Sequence, residues 1–352
     1  MAGAVLESLN NGSGPFTPEL VMDQFVSDFR QAKQLYGETL VRQLTGYDAD
    51  YVHKNMNIPE FRRHLEDRIK QNIDDLQEQG MLSREGSFTE DAIELAAVEM
   101  AVSELDHLEA AGLSGPRVHE SSASAPGRTD TKAFSGQSYR DLAVHQSVKT
   151  ALRRGQKSIR KEDLRVFRPH SKGRFEIIYA IDTSGSMKGA KIAAAKRAGV
   201  ALAYQGIRGG DKIGVVSFGK SVESELAPCK DFSSLLNTII RVRPGSETDL
   251  ASGVESATNL FSNSSSANKH VILITDALPT VGSDPQREVL EAVGAARSSK
   301  ITVSVVGIGL DKEGSRLAQK IADVGQGRVI VASNTEDLDV LVLSEYASSH
   351  HA

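Results

Sequence analysis

Five residues with oxygen-bearing side chains either follow an apolar run of the sequence or lie in a loop between two such runs. Asp182 follows the run FEIIYAI, and Ser184 and Ser186 come shortly after it. Thr248 lies in the segment PGSETDL, and Asp276 follows the run KHVILIT. In open α/β sheets, ligands gather outside the carboxyl ends of the strands, which is where these residues are expected. The spacing therefore predicts that five oxygen donors converge on one point.

These five side chains are all hard oxygen donors, with neither histidine nor cysteine among them. Such a set suits Mg2+ or Mn2+ and disfavours zinc and copper. Because Mg2+ prefers six ligands and gives up water reluctantly, two carboxylates and some hydroxyls leave positions for water or an incoming ligand. A carboxylate from a partner protein could fill such a position, and the metal would then bridge two chains.

A simpler interpretation exists for part of this set. Ser184 and Ser186 can cap the helix that follows them, and Asp182 can sit at an ordinary strand end. That alternative accounts for the D-x-S-x-S pattern alone, but it leaves Thr248 and Asp276 unexplained. Because three separated segments agree, the sequence favours the cation site.

The elements that must position these residues alternate between strand and helix over residues 174–346. The predicted strands are FEIIYAI, KIGVVSF, a short strand near SVESELA, KHVILIT, ITVSVV and Arg328 to Val331. Val- and Ile-rich runs bounded by helices are typical of strands buried on both faces. The sequence thus predicts the α/β class, with a doubly wound, mostly parallel sheet flanked by helices, Rossmann-like, and a short antiparallel hairpin at its edge.

A smaller all-α domain is predicted ahead of the sheet, over residues 17–112. Its three apolar stripes at helical spacing run from Val21 to Leu40, from Phe61 to Leu76 and from Ile93 to Leu108. The other predicted boundaries are a mobile start over 1–16, a flexible linker over 113–136, a connecting helix and lead-in over 137–173, and a tail over 347–352.

The composition limits the class of protein. Of the 352 residues, 39% are hydrophobic and 25% charged, as in ordinary globular proteins. The net charge of -5 argues against a nucleic-acid binder with a broadly basic surface. Cys229 is the only cysteine, which excludes an intrachain disulfide. Because the pattern contains no signal sequence and no membrane span, we predict a cytoplasmic protein that binds neither nucleic acid nor membrane.

One motif points falsely to a nucleotide. The segment GVVSFGKS, at Gly214 to Ser221, satisfies the phosphate-loop pattern G-x-x-x-x-G-K-[ST]. A phosphate loop needs a strand, a flexible loop and then a helix, whereas here the central residues are strand-like and another strand follows. His145 and His170 also lack partners at metal spacing, and His350 and His351 lie in the predicted frayed tail. Because no Ser, His and Asp can be assembled into a triad, we predict no catalytic residue.

The segment DTSGSM, from Asp182 to Met187, resembles the metal-ion-dependent adhesion site of von Willebrand factor A domains when it is taken together with Thr248 and Asp276. The resemblance covers about half of the chain. It implies that the first aspartate, the two serines, the threonine and the second aspartate coordinate a cation directly or through water. It also implies a protein-binding module whose partner supplies a carboxylate.

The residues before this region resemble the stretch that precedes the A domain in magnesium-chelatase D subunits. The matching pieces are DLAV at Asp141 to Val144, TALR at Thr150 to Arg153 and DLR at Asp163 to Arg165. Such proteins, and A-domain proteins encoded with MoxR-type ATPases, work beside an AAA+ hexamer. The resemblance implies a non-enzymatic adaptor with an AAA+ partner. The alternative is a chelatase D-like regulatory subunit of a metal-inserting enzyme.

Overall fold

The structure of the chain is a computed structural model. The residues that it describes are 2–110, 131–134, 147–150, 160–167, 174–245, 247–261, 268–276 and 279–349. The chain divides into two compact units, of which the larger combines Met1–Ser114 with Gly173–Ala352 and the smaller is Gly115–Lys172. All five residues predicted to bind a cation belong to the larger unit.

The smaller unit is described in short pieces. Strand β1, Thr131–Ala133, pairs antiparallel with strand β2, Arg165–Phe167. Beside β2, the Ser147 hydroxyl accepts a hydrogen bond from the Arg165 amide at 2.8 Å. Residues 131–133 of the predicted linker are therefore in a strand. The remainder of that linker and most of the connecting segment lie outside the described residues, as do most residues that resemble the chelatase D subunit.

Seven helices are described in residues 2–110. They are α1 Ala2–Asn11, α2 Pro18–Ser27, α3 Phe29–Tyr36, α4 Glu38–Thr45, α5 Ala49–Asn55, α6 Pro59–Glu78 and α7 Glu90–Ala110. The predicted mobile start is wrong for residues 2–11, because Val5 and Leu9 bury the apolar side of α1. The sequence near the terminus contains no capping pattern that would predict this helix. Its formation is instead explained by the burial of its apolar side against other elements.

The first predicted helical stripe, Val21 to Leu40, is broken into three helices. Asp28 ends α2 and begins α3, because its carboxylate accepts hydrogen bonds from the Arg30 and Gln31 amides at 3.0 and 3.1 Å. Gly37 separates α3 from α4 with a φ of 81°, a conformation open to glycine. The apolar residues of the stripe still face one core, so the periodicity was predictive although the helix is not continuous.

The sheet of the larger unit has six strands. They are β3 Phe175–Asp182, β4 Lys212–Phe218, β5 Val222–Cys229, β6 Asn268–Thr275, β7 Ile301–Ile308 and β8 Gln326–Ala332. Their order is β5-β4-β3-β6-β7-β8, and only β5 runs antiparallel to its neighbour. The predicted α/β class, the parallel sheet and the antiparallel edge are confirmed.

Helices cover both faces of this sheet. They are α8 Ala190–Arg208, α9 Phe232–Ile240, α10 Leu250–Leu260, α11 Pro285–Ser298, α12 Lys312–Gly325 and α13 Leu338–Ser349. Because side chains alternate along a strand, Ile177 and Tyr179 of β3 pack with α8, α9 and α13. Ile178 and Ala180 pack on the other face with α10, α11 and α12.

The helical segment shares a core with the sheet. Val5 and Leu9 of α1 and Met100 of α7 belong to the same buried cluster as Tyr179 of β3. Helices α2 to α6 surround a second cluster, which contains Phe25 and other apolar residues. The predicted helical domain therefore has two sides, one with its own core and one that closes against the helices of the sheet.

Glu104 of α7 is a buried carboxylate where α7 meets α8 and α13. Burial raises its pKa to about 7, and the negative charge of Asp339 adds to the increase, while His107 and Arg197 oppose it. His107 Nε2 lies 3.3 Å from Asp339 Oδ2. The contact between the helical segment and α13 therefore contains a carboxyl group that takes up its proton close to neutral pH.

The raised pKa of Glu104 predicts a pH-dependent stability. Because the folded state holds this proton more tightly than the unfolded chain, the free energy of unfolding should fall as pH rises from about 4.5 to about 7. Glu104→Gln replaces the ionisable carboxyl with a neutral amide, so it avoids a buried negative charge and should be more stable than wild type at pH 8 by about 2 kcal/mol. Urea denaturation at pH 5 and pH 8 measures this, with exposed Glu109→Gln as control. An equal response of both variants would contradict it.

The structure also describes the residues of the phosphate-loop pattern. Strand β4 ends at Phe218 and the antiparallel β5 begins at Val222, so GVVSFGKS is a strand and a tight turn rather than a strand and a helix. Lys220 in that turn lies 3.0 Å from the Glu247 carboxylate. The rejection of a nucleotide site at this motif is consistent with this geometry.

Candidate metal site

Asp182 ends the central strand β3 beside the end of β6. Its side chain is fully buried. Its Oδ1 accepts a hydrogen bond from the Ser184 amide at 2.8 Å, and its Oδ2 accepts one from the Thr275 hydroxyl at 2.6 Å. The parallel pairing of β3 with β6 brings these residues together. Asp182 is thus held in one orientation at the carboxyl edge of the sheet.

Ser186 lies in a single 3-10 turn, Gly185–Met187, between β3 and α8, and Ser184 is the residue just before that turn. Their hydroxyl oxygens are 3.1 Å apart. Met187 is fully buried and fixes the turn to the core, whereas Ser186 is exposed. The turn therefore presents two hydroxyls beside Asp182, one of them open to solvent.

Asp276 follows β6 directly and completes a chain of hydrogen bonds. The Ser186 hydroxyl donates to Asp276 Oδ1 at 2.7 Å, across 90 residues of sequence. The Lys191 ammonium contacts the other carboxylate oxygen, Oδ2. Four of the five predicted residues, Asp182, Ser184, Ser186 and Asp276, are thus brought together.

Thr248 is buried in the loop between α9 and α10. Its backbone is fixed by Thr280, whose hydroxyl accepts from the Thr248 amide at 3.0 Å and whose amide donates to the Thr248 carbonyl at 2.9 Å. Among the described residues, no hydrogen bond joins the Thr248 side chain to the other four. Its place in the ligand set rests on the sequence pattern.

The electrostatics of Asp182 favour a nearby cation. Burial raises its pKa to about 6, hydrogen bonds from Thr275 and Ser184 lower it, and the charge of Asp276 raises it further. A buried carboxylate with incomplete compensation is stabilised by a positive charge beside it. The site therefore attracts cations, as the contact of Lys191 with Asp276 also indicates.

The donor set fits a hard divalent ion. Within the described part of the chain, no three His, Cys, Asp or Glu side chains are grouped to hold a metal, so two carboxylates would need hydroxyl and water ligands. Ser184 and Ser186 supply such hydroxyls next to both carboxylates. This combination of oxygen donors suits Mg2+ and leaves room for water.

Sequence analysis missed three neighbours of this site. Lys191 and Thr275 contact its two carboxylates. The third neighbour is the end of α1, where the Asn10 carbonyl accepts a hydrogen bond from the Gly189 amide at 3.1 Å. Gly189 has a φ of 73° and is the residue just before α8, so α1 braces the loop that carries the serines. Of these three neighbours, only Thr275 could have been predicted from the sequence, because it ends the predicted strand directly before Asp276.

The model for the von Willebrand factor type A domain matches residues 176–343. The match begins in β3 and ends in α13, so it spans the whole sheet and all the loops described above. These residues form a von Willebrand factor type A domain. The resemblance first drawn from DTSGSM is therefore confirmed at the level of the domain.

Solved structures give similar A domains over half of this chain. The conserved hypothetical protein BatB from Bacteroides thetaiotaomicron is 22% identical over 51% of this chain and 100% of its own, with a TM-score of 0.43. A von Willebrand factor type A protein from Catenulispora acidiphila is 21% identical over 51% of this chain and 43% of its own, also at 0.43. The vWF domain of the type V pili tip protein Mfa5 from Porphyromonas gingivalis is 14% identical over 50% and 96%, again at 0.43.

A Ser, His and Glu cluster lies within the described part of the A domain. His270 Nε2 lies 3.0 Å from Ser304 Oγ, and Ser304 donates to Glu345 Oε1 at 2.8 Å. All three side chains are buried, and Glu345 contacts the serine rather than orienting the histidine from its far side. Arg328 also donates to Glu345, at 2.9 Å. The cluster joins β6, β7 and β8 to α13, which is a structural role.

His145, His170, His350 and His351 lie outside the described residues. Among the described helices, none is long and apolar enough to cross a membrane.

Proposed function

We propose that this chain is a non-enzymatic binding protein whose A domain holds Mg2+ through Asp182, Ser184, Ser186, Thr248 and Asp276. The observation that carries the proposal is the chain of contacts between buried carboxylates and serine hydroxyls at two neighbouring strand ends. These oxygens match the ligand chemistry of Mg2+, which the protein binds with water filling the remaining positions. Mn2+ has similar preferences and serves as a probe.

The partner is a protein that supplies a carboxylate. Two aspartates and a few hydroxyls leave at least one position of a six-ligand shell to water, and a carboxylate oxygen replaces water readily at a hard cation. Ser186 is exposed, so this side of the site is open to an incoming side chain. A domains are protein-binding modules by family, which supports this use of the metal.

The partner that we propose is an AAA+ ATPase of the MoxR type, in the cytoplasm. Support for it comes from the sequence resemblance between this chain and A-domain proteins that work beside such ATPases. The core that the helical segment shares with the A domain also supports a two-sided adaptor, since a second partner can bind α2 to α6 while the metal side stays open. A chelatase D-like role is the alternative, and the same experiment distinguishes it by the protein retained.

The proposal is tested by affinity capture of the tagged chain from native extract. An AAA+ ATPase should be retained in Mg2+, lost in EDTA and lost with Asp182→Ala. Asp337→Ala, which removes an exposed carboxylate elsewhere in the A domain, is the matched control and should retain it.

Retention that is indifferent to EDTA and to Asp182→Ala would exclude a metal bridge. Retention of a metal-inserting enzyme's subunits in place of a MoxR-type ATPase would favour the chelatase-like alternative.

A further inference from the structure

Lys191 makes an ion pair at the centre of the site. Its ammonium contacts Asp276 Oδ2, while Asp276 Oδ1 accepts the hydrogen bond from Ser186. The Asp276 side chain is completely buried, and the Lys191 side chain is 32% exposed. Both oxygens of this carboxylate therefore have partners, and one partner is a cation supplied by the chain itself.

The position of Lys191 in its helix is unfavourable by itself. It is the second residue of α8, where the helix dipole disfavours positive charge. The cap residue Gly189 provides no side-chain hydrogen bond that would offset this. Among the described residues, the ion pair of Lys191 is with Asp276, so the placement of this lysine serves the site rather than the helix.

We propose that Lys191 is a tethered counter-ion that occupies Asp276 in the metal-free protein and competes with the divalent cation for that carboxylate. This inference rests on the proposed metal site. When a divalent ion binds, the ammonium must leave Asp276, because two positive charges sharing one buried carboxylate repel each other. The partial exposure of Lys191 gives its flexible side chain a path toward solvent.

The consequence is a site that stays closed and stable without metal and that binds metal more weakly than its ligands alone would allow. Lys191 neutralises a buried carboxylate in the metal-free state, where an unpaired charge would be costly. The same charge opposes the ion. A neutral residue at this position should therefore lower the stability of the metal-free protein and raise its affinity for the ion. If Lys191 had a purely structural role, replacing it would lower both.

The experiment compares wild type with Lys191→Met by calorimetric titration with MgCl2 and MnCl2. We expect the variant to bind each ion about tenfold more tightly or better, and to melt at a lower temperature in EDTA. Lys191→Gln is a second neutral variant that can still donate a hydrogen bond to Asp276, and Lys191→Arg keeps the charge and should show no gain. Lys188→Met is the matched control, because Lys188 is exposed and lies three residues before Lys191, in the loop ahead of α8.

Each outcome separates this inference from the proposed metal site. Tighter binding by Lys191→Met, or binding by that variant alone, supports the counter-ion. Equal or weaker binding in both neutral variants, with a wild type that binds, overturns the counter-ion and leaves the proposed metal site intact. Absence of binding in wild type and in both neutral variants overturns the two together. A gain of the same size in Lys188→Met would assign the effect to general charge and also overturn the inference.

Discussion

Asp182→Asn is expected to abolish Mg2+ binding while it stabilises the metal-free protein. Asparagine keeps the shape of the side chain and can still accept from the Ser184 amide, but it removes a fully buried negative charge. Hydrogen bonds from Thr275 and Ser184 compensate only part of that charge. Because its removal relieves the remaining cost of burial, we expect the free energy of unfolding in EDTA to rise by about 1–3 kcal/mol. Affinity for Mg2+ should fall by about 100-fold or more, since the neutral amide no longer attracts the ion.

Calorimetric titration and urea denaturation in EDTA measure the two effects of this substitution. Asp211→Asn is the control, because Asp211 is also a buried aspartate with two hydrogen bonds, from the Phe175 amide and the Tyr346 hydroxyl, at the other end of the sheet. That variant should bind Mg2+ as wild type does. Wild-type affinity in Asp182→Asn would remove Asp182 from the ligand set.

Leu9→Ala is expected to destabilise the helical segment and the A domain as one unit. Leu9 is buried in the core that α1 and α7 share with the sheet, and truncating a buried leucine costs about 2–5 kcal/mol. We expect one unfolding transition at lower urea, and faster hydrogen exchange in β3 as well as in α1. Because the Asn10 carbonyl braces Gly189, the serine turn should also exchange faster.

Circular dichroism and hydrogen exchange by mass spectrometry test this prediction. Leu20→Ala is the control, since Leu20 is 37% exposed on α2 and its truncation should cost little. Two separate transitions, with only the first one shifted by Leu9→Ala, would mean that the helical segment unfolds independently of the A domain.

The arrangement of the sheet and most of the candidate site could be predicted from local patterns. Apolar runs fix which residues are strands, and the parallel connections place the carboxyl ends of the five parallel strands on one edge of the sheet. Asp182 and Asp276 therefore had to be neighbours once β3 and β6 were recognised. The contact of Lys191 could not be predicted in this way, because it depends on a flexible side chain that reaches from α8 to Asp276 at the end of β6.

The parts that were missed depend on tertiary contacts. Helix α10 was not predicted, because glycine and serines lower its propensity and its Asp249 cap was overlooked. Gly253 is required there, since a Cβ at that position would lie 2.5 Å from Cδ1 of Phe218. Helix α1 likewise gains its stability from the shared core. In both cases, periodic apolar residues were present, but packing rather than propensity decides the structure.

The most direct test of the metal site is anomalous diffraction from crystals of the chain grown with MnCl2, measured at the manganese absorption edge. We expect one strong peak beside Ser184, Ser186 and Asp276, with the Lys191 ammonium moved away from Asp276. A map without density at that position, with Lys191 still on Asp276 at saturating Mn2+, would contradict both the ligand set and the proposed function.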